Sequence, residues 1–317
     1  MIQIKTFQEL TAKNVDSAGG KGANLGAMLS HGIPVPDGYV ILTQCYDAFL
    51  EASGLDKRIA TLLGSMDGSN ISALTGVSDQ VTGWIHTGSI PDATSRLIYE
   101  HFDQLGSPLV AVRSSANAED SADSAWAGQL DTYLGTTHDT LIPNIRRCWA
   151  SLFTPRALAY RFQNHLMSLE ISVAVVIQEM VASEVAGVAF SVHPVTQDPD
   201  QMIIEAGFGL GEAVVSGTIT PDSYVISKSD RKILETYPSE QIKGIFLNER
   251  GGVEWKDISA SQSGTAKLRP SEILELADLI IRIEEYFHFP CDIEWAMKES
   301  KWYILQCRPI TTLTQTA

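Results

Sequence analysis

Near its carboxyl end the chain runs Asp292-Ile293-Glu294-Trp295-Ala296-Met297-Lys298-Glu299-Ser300-Lys301-Trp302-Tyr303-Ile304-Leu305-Gln306-Cys307-Arg308. Two strand-like runs flank a polar turn, which is the signature of a β-hairpin. With the turn centred on Ser300, Asp292 lies opposite Arg308, Glu294 opposite Gln306 and Ala296 opposite Ile304. Side chains alternate faces along a strand. One face then gathers Asp292, Glu294, Gln306 and Arg308, with Ala296 and Ile304 nearer the turn. The other carries Ile293, Trp295, Met297, Tyr303, Leu305 and Cys307 and reads as a core face. The first face groups two carboxylates, an amide oxygen and a guanidinium. A hard cation such as Mg²⁺ takes oxygen ligands of this kind and shares them with phosphates. A nearby Arg holds phosphate through two parallel hydrogen bonds. A solvated hairpin face with an ordinary cross-strand ion pair shows the same alternation, so the remainder of the chain has to discriminate.

The 317 residues carry 23 Lys and Arg against 38 Asp and Glu, a net charge of −15, with 44% apolar residues. That balance excludes a disordered chain and allows two lobes with their own cores. The acidic excess argues against a nucleic-acid partner, which would need clustered cations. The longest apolar run, Val173 to Ile177, is far short of the roughly 20 residues that span a bilayer. Met1-Ile2-Gln3-Ile4-Lys5 does not open a signal peptide. Cys45, Cys148, Cys291 and Cys307 form no CxxC pair and read as reduced thiols of a cytoplasmic protein. His288 and Cys291 stand close but have no second pair beside them, which argues against zinc.

Along the chain, a Gly19-Gly20 turn leads into a helix over about 21–29, ended by Pro34 and Pro36. Residues 43–63, 92–105 and most of 138–168 also read as helix. Leu109 to Val112 is a buried strand, followed by a small-residue loop from Ser114 to Gln129 expected to be mobile and solvated. Strands are expected at 172–178, 185–192 and 202–205 and dominate from about 171 onward. A late helix begins near Ser271 as N-cap. The division into a helix-rich first part and a strand-rich second part predicts an α+β chain with lobes at 1–180 and 181–317.

Further candidates are scattered. Lys21 sits among glycines, where its ammonium can reach a phosphate. Arg113 ends a buried strand that would deliver a cation to a cleft. Gly128 and Thr132 flank a turn that offers backbone amides and a hydroxyl to phosphate oxygens. Gln178-Glu179-Met180-Val181 follows a strand, and its backbone could meet an adenine edge. Two nucleotide fingerprints fail: Gly207 to Glu212 places its third glycine one residue early for GxGxxG, and Lys21 lacks the Ser or Thr that follows the lysine of a P-loop.

Taken in order, these segments resemble the nucleotide-binding domain shared by phosphoenolpyruvate synthase, pyruvate phosphate dikinase and rifamycin phosphotransferase. The matching pieces are Gly19-Gly20-Lys21-Gly22-Ala23-Asn24-Leu25-Gly26, Ile33 to Gly38, Val112-Arg113-Ser114-Ser115-Ala116, Ala127-Gly128-Gln129 with Asp131-Thr132-Tyr133, Gln178 to Val181, Gly187-Val188-Ala189-Phe190-Ser191, Pro194-Val195-Thr196, Gly209 to Glu212, Pro221-Asp222, Asp292 to Trp295 and Gln306 to Ile310. They span nearly the whole chain. The resemblance implies an α+β fold of ATP-grasp type with ATP held between two lobes. It implies phosphate contacts from Lys21, Arg113, Gly128, Thr132 and Arg308, adenine contacts at Gln178, Glu179 and Val181, and Mg²⁺ held by Glu294 and Gln306. In that family ATP is cleaved to AMP, and a histidine on a swivelling domain accepts the pyrophosphoryl group before a phosphoryl group passes to a small-molecule acceptor.

None of the seven histidines stands in the Thr-Gly-Gly-rich context of that transfer histidine. The resemblance therefore implies an ATP-binding component that donates to a histidine on a partner subunit or on a further part of a longer chain. Relatives commonly carry a proline before Ala-Gly-Gln; here the stretch is Ser121-Ala122-Asp123-Ser124. The alternative reading is a non-catalytic nucleotide-binding regulator that retains the fold.

Overall fold

The computed structural model describes residues 3–65, 71–116, 120–121, 124–125, 131–164, 166, 171–311 and 313. Contacts divide the chain into two compact units, Met1–Gly26 with Asp37–Met180, and Ala27–Pro36 with Val181–Ala317. A boundary at 180/181 leaves residues 27–36 in the first lobe; their contacts assign them to the second unit. The early division falls inside helix α1 (Val15–Ser30).

The first unit contains β1 (Ile4–Thr6), β2 (Gly38–Ile41), α2 (Thr43–Ser53), α3 (Leu55–Gly64), α4 (Ile71–Thr87), α5 (Asp92–Leu105), β3 (Val110–Ala116), the two-residue strands β4 (Asp120–Ser121) and β5 (Ser124–Ala125), β6 (Thr132–Thr136), α6 (His138–Ala150), α7 (Pro155–Gln163) and β7 (Val173–Glu179). An antiparallel sheet runs in the order β1-β2-β7-β3-β6. The period of two sorts its faces. Tyr39, Ile41, Val110, Val112, Val173, Val175 and Ile177 join one core with Phe49, Val81, Ile98, Trp149 and Leu158 from the helices. Ala111, Arg113, Ser115, Val176 and Gln178 alternate with them and occupy the other face.

Three expectations change here. The helix at 43–63 is two helices, broken at Gly54, which caps α2 at φ 65°. The helix at 138–168 is α6 and α7 with a short 3₁₀ turn between them; Pro155 cannot continue a helix and instead occupies the first turn of α7. The solvated loop does not begin at Ser114, because Ser114, Ser115 and Ala116 are buried strand residues paired with β7.

The second unit contains β8 (Val185–Phe190), β9 (Gln201–Phe208), α8 (Glu212–Val215), β10 (Asp222–Ser227), β11 (Lys232–Tyr237), β12 (Lys243–Leu247), β13 (Val253–Asp257), α9 (Ala260–Ser263), α10 (Pro270–Phe287), β14 (Cys291–Lys298) and β15 (Lys301–Pro309). Its antiparallel sheet has the order β11-β10-β9-β8-β14-β15, and β12 and β13 form a separate ribbon. Helix α10 packs on β9, β11 and β14 and buries Ile273, Leu276, Ala277, Ile280 and Ile283. Its N-cap is Arg269 rather than Ser271, since Pro270 supplies the first turn and Glu272 accepts the Arg269 backbone N–H. At the outer edge of β15 the Ile304 N–H donates to the Pro34 carbonyl at 2.7 Å.

The excursion between β10 and α10 is fastened by a wholly buried ion pair. Lys267 Nζ lies 2.8 Å from Asp222 Oδ1, with neither side chain exposed. Asp222 also accepts the backbone N–H groups of Ser239 and Lys267 and the Tyr224 hydroxyl. Burial alone would raise the Asp222 carboxyl. Lys267 and these donors outweigh burial and hold its pKa below the ordinary carboxylate value. Its contribution to stability is therefore present above the unfolded-state value of about 4 and is lost as pH falls through the lower folded value. Urea unfolding should show that acid loss, and Asp222→Asn, which leaves Lys267 buried without its counter-charge, should cost about 3 kcal/mol or more at neutral pH and flatten the acid limb.

Candidate functional site

In the first unit, β3 and β7 present the cation and the amide. Arg113 pairs directly with Thr132 on β6 and with Val176 on β7, and Gln178 follows two residues along the same face. Arg113 is 7% exposed and Gln178 2%, while Thr132 is exposed. The Gln178 amide nitrogen is buried with no hydrogen-bond partner among the described residues. A buried donor left unsatisfied costs about 1–3 kcal/mol, a cost that a bound acceptor removes.

Lys21 follows a backbone kink that is fastened to this face at Ser115. Helix α1 breaks at Gly19, with φ 67° and ψ 171°, and restarts. Ser115 Oγ donates to the Ala18 carbonyl at 3.0 Å and accepts the Gly22 N–H at 3.3 Å, so one buried hydroxyl clamps both sides of the kink. A Cβ at Gly19 would lie 2.2 Å from Ser115 Oγ and 2.3 Å from the Ser115 carbonyl oxygen. Only glycine fits both the dihedral and the approach. The restarted helix directs its first N–H groups and positive dipole end toward this segment, an arrangement that favours anions. Lys21 is near enough for its charge to act on Cys148 of α6, whose thiol burial drives well above its ordinary pKa, with Asp131 adding to the rise and Lys21 opposing it. The strand that carries Arg113 therefore also fixes the loop that carries Lys21.

Glu179 is exposed, and its backbone N–H donates to the Asp37 carbonyl at 2.8 Å. Val181 opens the second unit, and its carbonyl accepts the Ser183 N–H at 2.8 Å. Gly128 lies outside the described residues.

In the second unit, Asp292 pairs with Arg308 and Glu294 with Gln306 across β14 and β15. Arg308 Nε and Nη2 donate to Asp292 Oδ2 at 2.9 and 2.7 Å. Gln306 is 5% exposed, and its Oε1 is buried without a partner among the described residues. Beyond Glu294 the pairing shifts by one, so Trp295 meets Ile304 and Ala296 meets Tyr303. The expected Ala296–Ile304 pairing fails because Glu299 and Ser300, both at positive φ, make a two-residue turn that joins Lys298 to Lys301. Ile304 consequently shares a face with Trp295, and both are fully buried. Leu305 is the extra residue of the bulge.

Asp292, placed on this face by the sequence pattern, is joined there by Glu205, which the sequence pattern did not single out. Burial raises the pKa of Asp292, with Glu294 adding to the rise and Arg308 offsetting only part of it. Glu205 on β9 is separated from Glu294 by Val188 in the register, and burial raises its pKa also. Its signal was a carboxylate closing the apolar run Met202-Ile203-Ile204. Ser115 stood within a quoted motif but had no role there. Among the described residues no cluster of three or more His, Cys, Asp or Glu could hold a metal ion. The Glu294 carboxylate and the Gln306 amide oxygen, directly opposed across β14 and β15, are oxygens of the type a hard cation takes. In the first unit Arg113, Thr132 and Gln178 stand on adjacent strands, with Lys21 in the helix that Ser115 of β3 clamps; in the second, Glu294, Gln306 and Arg308 stand on the paired β14 and β15.

Residues 15–317 match the family described as pyruvate phosphate dikinase, AMP/ATP-binding domain. The chain belongs to this family. A probable phosphoenolpyruvate synthase of Methanothermobacter thermautotrophicus is 40% identical across 98% of the chain, and one of Methanocaldococcus jannaschii 37% across 98%. A rifampicin phosphotransferase of Bacillus cereus is 36% identical, again across 98%. The chain spans 46%, 27% and 36% of these three relatives respectively. The family membership and the two mixed units give an α+β fold of ATP-grasp type.

The clamp at the kink is testable by unfolding. Ser115→Ala should cost about 1–3 kcal/mol, because it strands the Gly22 N–H and frees the Ala18 carbonyl. Gly19→Ala should cost more, and should remain damaging in a Ser115→Gly background, since the Ser115 carbonyl oxygen 2.3 Å from the new Cβ stays in place.

Proposed function

We propose that the chain is the ATP-binding component of a dikinase-type phosphotransferase, which cleaves ATP to AMP and donates the pyrophosphoryl group to a histidine on a partner subunit or on a further part of a longer chain. A small-molecule acceptor then receives a phosphoryl group from that histidine. The observation that carries this reading is the Glu294–Gln306 pair, a carboxylate directly across from a buried amide oxygen that has no partner among the described residues, with Arg308 two residues further along the same face.

In this reading Lys21, Arg113, Thr132, Gly128 and Arg308 contact the phosphates. The Gln178 amide and the backbone at Glu179 and Val181 meet the adenine. Glu294 and Gln306 hold Mg²⁺, which when bound neutralises triphosphate charge and orients the reacting oxygens. The reaction needs in-line placement and charge stabilisation rather than a nucleophile from this chain. A nitrogen of the partner's histidine forms a bond to the β-phosphorus; the bond from that phosphorus to the oxygen shared with the α-phosphate breaks, and AMP leaves with that oxygen. Lys21, Arg113 and Arg308 oppose the charge that shifts onto the leaving oxygen and the transferring group.

No described helix is long and apolar enough to cross a membrane. Cys45, Cys148, Cys291 and Cys307 are free and buried, which suits a reducing compartment, and the reading places the protein in the cytoplasm. The intact Glu294, Gln306, Arg308, Lys21 and Arg113 favour a catalytic component over a regulator that keeps only the fold.

The test is to incubate the chain with candidate histidine-domain partners and ATP labelled at the β-phosphate. AMP should form in step with a labelled partner, and Glu294→Ala should lower AMP formation by about 10²-fold. Absence of both AMP and labelled partner in every pairing overturns the proposal. Nucleotide-dependent conformational change without AMP formation would instead identify a regulator.

A further inference from the structure

The Asp292–Arg308 pair sits at the start of β14, and the structure shows what holds that start in place. Ser191, wholly buried just past the end of β8, donates its backbone N–H to the Cys291 carbonyl at 2.9 Å. Its Oγ accepts the Cys291 N–H at 2.8 Å. The same Oγ donates to Glu284 Oε1 at 2.8 Å. Glu284 lies in the last turn of α10, and its other oxygen accepts Lys228 Nζ at 2.7 Å. Lys228 follows β10, where its own N–H is held by the Asp200 carbonyl at 2.7 Å.

The direction of each bond is forced by chemistry. A carboxylate only accepts, so the Ser191 hydroxyl hydrogen points to Glu284 and its lone pair is left for the Cys291 N–H. Lys228 only donates, and it supplies the counter-charge for a carboxylate whose side chain is 21% exposed. Four elements, β8, β10, α10 and β14, thus converge on the peptide immediately before Asp292. The Arg308 guanidinium donates to that carboxylate at 2.9 and 2.7 Å.

We propose that Lys228, Glu284 and Ser191 form a positioning relay that sets the first residues of β14 and, through Asp292, the orientation of the Arg308 guanidinium. Its consequence for nucleotide rests on the reading above that Arg308 meets the phosphates. None of the three relay residues touches the nucleotide in that reading. They act through Asp292, and a displacement of the Cys291 peptide is transmitted to the next residue because backbone geometry leaves only two soft torsions between them.

The first readout uses no nucleotide: the Arg308 Nε–H resonance, assigned by its loss in Arg308→Lys. In Ser191→Ala its solvent exchange should quicken by about tenfold, and Ser191→Thr, which restores a hydroxyl, should return it to within about twofold of the parent. The second is calorimetric. Ser191→Ala should weaken ATP with Mg²⁺ by about tenfold and leave AMP within about twofold, since AMP lacks the β- and γ-phosphates; a general loosening of the fold would weaken both. An unchanged Arg308 signal in folded Ser191→Ala overturns the relay. If that variant does not fold, Lys228→Met at the more exposed end must move the same resonance, and an unmoved signal there overturns it equally. Should the parent protein bind no ATP, the functional reading fails, while the relay is still judged on the Arg308 signal.

Discussion

A mismatch of one residue between two strands governs the chemistry of the second unit. The turn at Glu299-Ser300 fixes the inner register of β14 and β15 by joining Lys298 to Lys301. Continued without interruption, that register would set Glu294 against Leu305 and Asp292 against Cys307. Directly opposed residues share a face, so Gln306 and Arg308 would then point to the α10 side of the sheet. The bulge after Glu294 absorbs one residue and reverses the phase of β15. It leaves Ile304 with Trp295 in the buried layer and returns Gln306 and Arg308 to the acids.

Both sheets obey the same division of labour. In each, alternate residues feed an apolar layer under helices, and the intervening positions carry the polar groups. β3 sends Val110 and Val112 into the helical core and holds Arg113 and Ser115 on the reverse side. β14 buries Ile293 and Trp295 and keeps Asp292 and Glu294 only partly buried. A cation or carboxylate on a central strand gains a rigid backbone ladder on both sides, and the site geometry inherits that rigidity. The amide atoms of Gln178 and Gln306 are buried without a partner among the described residues, as are the indole nitrogens of Trp149 and Trp295, but of these only the two amides lie on the polar faces.

Strict periodicity made much of this legible before any coordinates. The outer hairpin pairs and the extent of α5 follow from residue spacing, and β7 from its continuous run of β-branched and apolar residues. Other features depend on geometry that spacing does not encode. The bulge was hidden because a turn centred on one residue and a two-residue turn with a bulge give the same outer pairs. Helix α4 was not anticipated: Ser, Thr and Gly dilute its pattern, although Leu74, Val77, Val81 and Ile85 recur at helical intervals and are buried. Ser115 looked like the start of a polar loop, because serine has weak strand preference and only its two partners, Ala18 and Gly22, reveal why it is buried. The phosphate, adenine and metal assignments came from an ordered series of short motifs; isolated, each was compatible with an ordinary surface.

The strip formed by residues 27–36 has a consequence for assembly. An unprotected terminal strand is a template for other chains. Here the free side of β15 is met by the Pro34 carbonyl, a group that precedes β15 in the chain and is followed within two residues by a second proline, which cannot donate to a ladder. When β15 emerges from the ribosome it therefore finds its cover already synthesised. Severing the chain between the units at Val181 would deprive the later portion of that cover and leave an adhesive border.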